Sequence, residues 1–327
     1  MSRFLIGRLA ASVLLIVALL STVFFIVHLA PGDPVDLVND PDLDAAGRAA
    51  LRHEMGLDRP LTRQYLEWIS GVLFHLDFGR SLRLHRPVSS ILGEAVPNTL
   101  LLTLPAYLVH LLVAVPLGVW FARRRGSRRE RGATVGGLFI YSLPAFWLGL
   151  MLILVFSRWL GWLPSGGMHS TGAADLSGGA RFWDLLKHLA MPVLVLGAAS
   201  AMITARYLRN SMLEALGQDY ILAGRARGLP QNVLLWRHAL RNALLPVVTL
   251  VGLNLPHLLG GAVVTEYVFA WPGMGRVAVE AIFARDYPLV MGATALSAVM
   301  VVAGNLLADL AYGLVDPRIR HRRGSSS

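Results

Sequence analysis

Six runs of apolar residues dominate this chain, and each is long enough to cross the roughly 30 Å hydrocarbon core of a membrane as a helix. Hydrophobic residues make up 55% of the sequence and charged residues only 15%, a balance that excludes a soluble globular protein. We therefore predict an all-α, polytopic membrane protein with six transmembrane helices. The runs occupy approximately residues 9–29, 98–122, 133–157, 189–205, 244–265 and 288–311.

The first run has an alternative interpretation as a secretory signal peptide. It is long for the apolar region of such a peptide, and no cleavage site with small residues follows it. His28 also occupies a position where cleavage would need a small residue. We therefore predict that residues 1–30 form a cytoplasmic N-terminus and an uncleaved first transmembrane helix.

Arginine supplies nearly all of the positive charge, and its distribution orients the predicted spans. One of the two alternating sides carries eighteen cations and four acids, whereas the other carries twelve cations and fifteen acids. The positive-inside rule places the arginine-rich side, with both termini, in the cytoplasm. The net charge of +10 is not taken to indicate nucleic-acid binding, because these arginines lie beside spans without aromatic stacking platforms.

Several kinds of chemistry are excluded by residues that the sequence lacks. It contains no cysteine, which excludes disulfides, thiolate metal sites and cysteine nucleophiles. The only lysine, Lys187, stands in Leu-Leu-Lys-His, so the Gly-Lys-Ser/Thr of a Walker A phosphate loop is absent. The ten histidines include no pair at metal-ligand spacing such as His-x(3)-His. We predict a chain that is not an enzyme and that binds no metal or cofactor itself.

A long basic segment, at about residues 207–245, separates the fourth and fifth apolar runs. It predicts a short helix that ends where Gly228-Leu229-Pro230 breaks the pattern, followed by a second amphipathic stretch from Asn232 to Leu245. Small side chains would leave the backbone of the short helix open to close approach by another protein. Charge alone allows a simpler interpretation, a cytoplasmic loop with a solvated basic face. The small residues are Ala223, Gly224, Ala226 and Gly228.

The region between the first two runs, residues 31–97, is predicted to be a small external helical subdomain. Helix-like apolar spacing occurs from Leu43 to Met55 and from Leu61 to Phe74, separated by the breaker sequence GLDRP. The remainder is predicted to form a five-helix core over residues 98–311 and a cytoplasmic basic tail over residues 312–327.

Several blocks of this sequence resemble the permease subunits of binding-protein-dependent ABC importers, in the branch that transports dipeptides, oligopeptides and nickel. One departure concerns the general importer motif, which would place Glu-Ala-Ala where this chain has Leu222-Ala223-Gly224. The resemblance covers essentially the whole chain. Its main blocks are LAPGDPV at Leu29 to Val35, PNTLLLTLPA at Pro97 to Ala106, DYILAGRARGL at Asp219 to Leu229, RHALRNALLP at Arg237 to Pro246 and EYVFAWPGMGR at Glu266 to Arg276.

This resemblance implies a permease of the bacterial inner membrane that takes up di- and oligopeptides, with nickel as the alternative cargo. It also implies a second homologous permease, two ATP-binding subunits that carry ATP and Mg, and an external substrate-binding protein. The short helix of the basic segment would then couple this chain to the ATPases. The residues assigned to this coupling are Asp219, Tyr220, Ala223, Gly224, Arg225, Ala226, Arg227, Gly228 and Leu229.

Polar residues within the apolar runs are candidates for the transport pathway, because polar groups at membrane depth usually face a bundle interior or water. Asn254 and His257 in the fifth run are the candidate pathway-lining residues. A secondary transporter would need intramembrane acids, and Asp309 is the only acid clearly within a run. An intramembrane hydrolase would need a dyad such as Ser142 with His110, around which no nucleophile motif is present.

Overall fold

The structure is a computed structural model, and it describes residues 2–29, 45–54, 58–244, 247 and 262–315. Within these ranges the chain is helical and contains no β-strand, so the predicted all-α fold class is confirmed. The helices are α1 (Ser2–Leu29), α2 (Ala45–Glu54), α3 (Leu61–Ser70), α4 (Val88–Arg123), α5 (Arg128–Ser142), α6 (Ala145–Leu152), α7 (Gly178–Val193), α8 (Ala199–Leu216), α9 (Asp219–Ala226), α10 (Gln231–Val233), α11 (Val263–Val268), α12 (Met274–Phe283) and α13 (Tyr287–Val315).

Four of these helices continue into wider π-helical turns, and α10 then regains α-helical geometry as far as residue 244. The turn after α7 follows Pro192, which cannot donate a backbone hydrogen bond inside that helix. The turns are Gly71–His75 after α3, Ile153–Trp159 after α6, Leu194–Ala198 after α7 and Leu234–Ala239 after α10.

Three of the described helices are long and apolar enough to cross a membrane alone, at Ala10–Leu29, Val88–Arg123 and Tyr287–Leu306. Two bent pairs meet the same criteria, which gives up to five candidate spans by length and composition. The predicted fifth run, 244–265, falls almost entirely outside the described residues. The count of six transmembrane helices therefore remains a prediction.

The third predicted run, residues 133–157, is not one continuous helix. It comprises α5 and the α6 segment, which meet at an angle of 98°. Pro144 causes the break, since proline disfavours helical geometry in the residue before it. Leu143 accordingly has extended backbone angles of φ −74° and ψ 138°.

The described residues form two compact units. The first takes its residues from 1–99 and 272–302, and the second from 100–271 and 303–327. In the first unit, the buried Asp286 carboxylate accepts hydrogen bonds from the Ser81 hydroxyl and from the backbone N–H groups of Leu82, Arg83 and Leu289. This carboxylate therefore joins the loop that contains Ser81 and Arg83 to the first turn of α13.

The helices predicted for the external region coincide with α2 and α3. The α3 helix packs on α1, where Ser21 and Tyr65 hydroxyls lie 2.6 Å apart. Leu20, Ile69 and Val72 are buried in the same cluster. Apolar side chains on one face of α3 therefore hold it against the first apolar helix.

In the second unit, α4 packs closely against the segment formed by α7 and α8. A Cβ atom at Gly197 would lie 2.4 Å from the backbone oxygen of Ala106. Close by, the His110 ring nitrogens lie 2.8 Å from the Ser200 hydroxyl and 2.9 Å from the Thr204 hydroxyl. Small residues permit the approach of the helices, and side-chain hydrogen bonds join them.

Ser142 and His110 do not form a hydrogen-bonded dyad. The Ser142 hydroxyl donates to the backbone oxygen of Leu138 in its own helix, at 2.8 Å. Both ring nitrogens of His110 are occupied by hydroxyl groups on α8. The geometry provides no support for a hydrolase built on this pair.

Candidate functional site

The helix α9 lies where the basic segment predicted a short helix, and its end is defined by a complete backbone cap. Gly228 has φ +77°, a left-handed conformation that favours glycine. The Gly228 N–H donates to the Arg225 oxygen at 2.9 Å, and the Leu229 N–H donates to the Gly224 oxygen at 3.1 Å. These two bonds form a Schellman motif, so Gly228 is explained by the turn it makes within this chain.

One face of α9 packs inwards. Ile221 is fully buried in a cluster with Leu208, Met212 and Leu235. Gly224 is also buried, and a Cβ atom there would lie 2.7 Å from the Leu234 side chain. The coupling role of Gly224 stays a prediction; within this chain, its small size admits the following helix.

The opposite face of α9 points outwards, and we call it the outward face. Ile221 and Gly224 lie one turn apart, so the helical period of 3.6 residues places Asp219, Leu222, Ala223 and Ala226 on the other side. All four of these residues are exposed. Of the other residues assigned to coupling, Tyr220, Arg225, Arg227, Gly228 and Leu229 are also exposed.

Several features hold this surface in place. Asp219 lies in the first turn of α9, where its negative charge complements the helix dipole. Only Gly217 and Gln218 separate α9 from the end of α8. Ile221 and Gly224 pack against buried leucines, so α9 is held in place while its outward face stays exposed. A short, firmly seated helix of this kind can transmit force from a protein that binds its outward face.

A hydrogen-bonded ion pair joins α8 to the first turn of α5. Glu130 is buried, and its carboxylate accepts hydrogen bonds from Arg209 Nε at 2.7 Å and from the Gly126 N–H at 2.8 Å. Ser127 caps the start of α5 by accepting from the Glu130 N–H at 3.1 Å. In the sequence, Glu130 stands as a single acid among the arginines at positions 123–131. The capping-box spacing of Ser127 and Glu130 was the signal that could have identified it.

The candidate pathway residues Asn254 and His257 lie outside the described residues, and their role stays a prediction. Asn305 is exposed on α13. Among the side chains that the structure describes, no group of three or more histidine, aspartate or glutamate residues is arranged to hold a metal ion.

Two protein families match this chain. The family described as "Binding-protein-dependent transport system inner membrane component" matches residues 114–321. The corresponding N-terminal family, "Binding-prot-dependent transport system membrane comp, N-term", matches residues 1–103. Together the two matches cover nearly the whole sequence.

Individual relatives align over nearly their full lengths. The oligopeptide transport system permease protein AppB of Bacillus subtilis is 41% identical over 322 residues, which cover 98% of this chain and 100% of the relative. The dipeptide transport system permease protein DppB of Escherichia coli K12 is 38% identical over 340 residues, with 99% and 100% coverage. An inward-facing structure of the MetNI methionine ABC transporter matches with a TM-score of 0.53 and 20% identity, over 69% of this chain and 97% of that chain.

Proposed function

This chain belongs to the family of binding-protein-dependent transport system inner membrane components, and we propose that it forms half of the translocation pathway of an ATP-driven importer for di- and oligopeptides. The cargo class is supported by the names of the permeases AppB and DppB, which align with the chain from end to end. Fold similarity to an ABC transporter agrees with this role. The chain is thus a multi-pass permease of the inner membrane.

We propose that the ATPase subunits transmit force to this chain through the outward face of α9. The observation that carries this proposal is the combination of an exposed face, which includes Ala223 and Ala226, with a buried opposite face in one short, capped helix. An ATPase groove that receives the outward face could push α9 without unfolding it. Arg225 and Arg227 flank the contact and can pair with acidic groups on the ATPase. In this scheme ATP and Mg are bound by two partner subunits.

The proposed mechanism is alternating access. When the ATPases close on ATP, they displace α9, and the displacement reaches the membrane helices through α8. A second, homologous permease supplies the other wall of the pathway. The substrate-binding protein delivers peptide on the opposite side of the membrane.

Uptake by the reconstituted complex tests the proposed function. We expect the purified chain alone to hydrolyse no ATP, since its only lysine, Lys187, lies outside any phosphate loop. The assembled complex should hydrolyse ATP faster when peptide-loaded binding protein is added, and liposomes should accumulate labelled peptide. Accumulation of nickel without peptide would reject the cargo assignment. Transport without any ATPase subunit would reject the importer class.

The cytoplasmic position of α9 is also a proposal, supported by the arginine asymmetry. A reporter enzyme that is active only outside the cytoplasm should work when fused near Gly172. Fusions near Gly126 or Gln231 should be inactive even though cells make them at the same level as the active fusion near Gly172. Activity at Gln231 would overturn both the orientation and the coupling role of α9.

A further inference from the structure

A basic cleft lies beside α9 and is distinct from its outward face. Its volume is about 570 Å³, and its walls carry hydrogen-bond donors and cations without an acidic residue. In the part of the chain that the structure describes, no carboxylate forms an ion pair with either cleft arginine. The cleft is lined by Tyr220, Arg237, His238, Arg241 and Asn242.

The arrangement of these groups suits an anion with several oxygen atoms. Arg237 and Arg241 are both exposed and stand four residues apart, so their side chains lie on the same side of one helix. Each guanidinium can donate two parallel hydrogen bonds to phosphate oxygens. The Tyr220 hydroxyl and the Asn242 amide add neutral donors.

The position of the cleft along the chain indicates where this anion comes from. Arg241 precedes the predicted apolar run at 244–265 by only three residues, which corresponds to less than one helical turn. Trp236, which precedes Arg237 in sequence, is 51% exposed, and tryptophan is enriched at the level of lipid headgroups. By contrast, Arg225 and Arg227 lie at the other end of α9. In sequence, the cleft residues therefore adjoin the predicted membrane-spanning run, whereas the outward face of α9 is proposed to bind a protein.

We propose that this cleft binds the phosphate group of an anionic phospholipid. The lipid would place its phosphate between Tyr220 and the two arginines. Basic pockets at the ends of membrane helices are known to select such headgroups. With the proposed orientation, this lipid belongs to the cytoplasmic leaflet. The ability of the cleft to bind a phosphate group does not depend on that orientation.

The experiment measures lipid binding to the purified importer complex after its lipids have been exchanged for zwitterionic phosphatidylethanolamine. Native mass spectrometry then follows the titration of phosphatidylglycerol with the same acyl chains. The double variant Arg237→Gln/Arg241→Gln should bind phosphatidylglycerol about thirtyfold more weakly. Arg128→Gln/Arg129→Gln removes two exposed arginines elsewhere and should change the affinity less than twofold. Arg237→Lys/Arg241→Lys keeps the charge without the guanidinium forks and should give an intermediate loss.

Several outcomes would overturn the proposal. Equal losses in the cleft variant and the control would mean that general surface charge attracts the lipid. Unchanged affinity in the cleft variant would exclude the site. Binding of inorganic phosphate alone with the affinity of the lipid would assign the cleft to a free anion. If the cleft variant lost its ATPase subunits but bound phosphatidylglycerol as before, the two arginines would instead contact an acidic surface of another protein. Because the assay requires no transport, failure of the lipid site is distinguishable from failure of the importer assignment.

Discussion

Ala226→Trp is expected to abolish peptide uptake while leaving the chain folded and inserted. Ala226 is exposed on the outward face of α9, so the new side chain points away from the buried contacts of its own chain. A surface substitution of this kind usually changes the free energy of unfolding by less than about 0.5 kcal/mol. A fitted groove on an ATPase would be overpacked at a cost of about 1–3 kcal/mol. The measurements are ATPase retention on purification, stimulation of hydrolysis by loaded binding protein, and uptake into liposomes.

Two further substitutions separate docking from local folding. Ala226→Ser keeps the side chain small and should transport at nearly the normal rate. Gly228→Ala adds almost no bulk but forces an L residue into the left-handed conformation, at a cost of about 1–2 kcal/mol, and so tests the helix cap. If Ala226→Trp retained its ATPases and transported normally, α9 would be only part of a basic loop.

Gly197→Ala should lower the stability of the chain more than its single added methyl group suggests. The new Cβ atom would lie 2.4 Å from the Ala106 oxygen and 3.3 Å from the His110 nitrogen, and both are backbone atoms. Relief of the clash therefore requires α4 to move away from the turn that follows α7. Overpacking of this type costs about 1–3 kcal/mol or more. A fluorescence-detected melting curve in detergent should show a clear decrease in the melting temperature.

The matched control is Gly93→Ala, at an exposed position in the first half of α4. No atom lies within 4 Å of a Cβ placed there, and alanine is favoured over glycine inside a helix by about 0.5–1 kcal/mol. This variant should melt at the same temperature as the parent or slightly higher. Equal melting temperatures for the two alanine variants would contradict the close packing at Gly197.

The sequence predicted the features that depend on composition and local pattern. The apolar runs located α1, α4 and α13, and the apolar spacing of the external region located α2 and α3. The motif blocks identified the permease family, and the full-length relatives confirm it. These predictions succeeded because membrane insertion and helix formation are governed by residues close together in the chain.

The features that were missed depend on partners distant in sequence. Gly224 and Ala226 are both small, and no local pattern indicates that the first packs on Leu234 while the second is exposed. Asp286 lies just before an apolar run, yet its hydrogen bonds reach a loop about two hundred residues earlier. Pro144 lies inside the third predicted run, yet the sequence alone does not give the angle of 98° between α5 and the α6 segment. Tertiary packing decides each of these cases.

The contact between Glu130 and Arg209 limits how α9 could move under the proposed mechanism. Arg209 belongs to α8, which continues into α9 after two residues, whereas Glu130 belongs to the turn that opens α5. If α8 followed α9 and the turn stayed behind, a buried carboxylate would lose its guanidinium partner inside the protein. In the proposed mechanism, α8 and the first turn of α5, which carry these two partners 79 residues apart in sequence, would therefore have to move together as one rigid element.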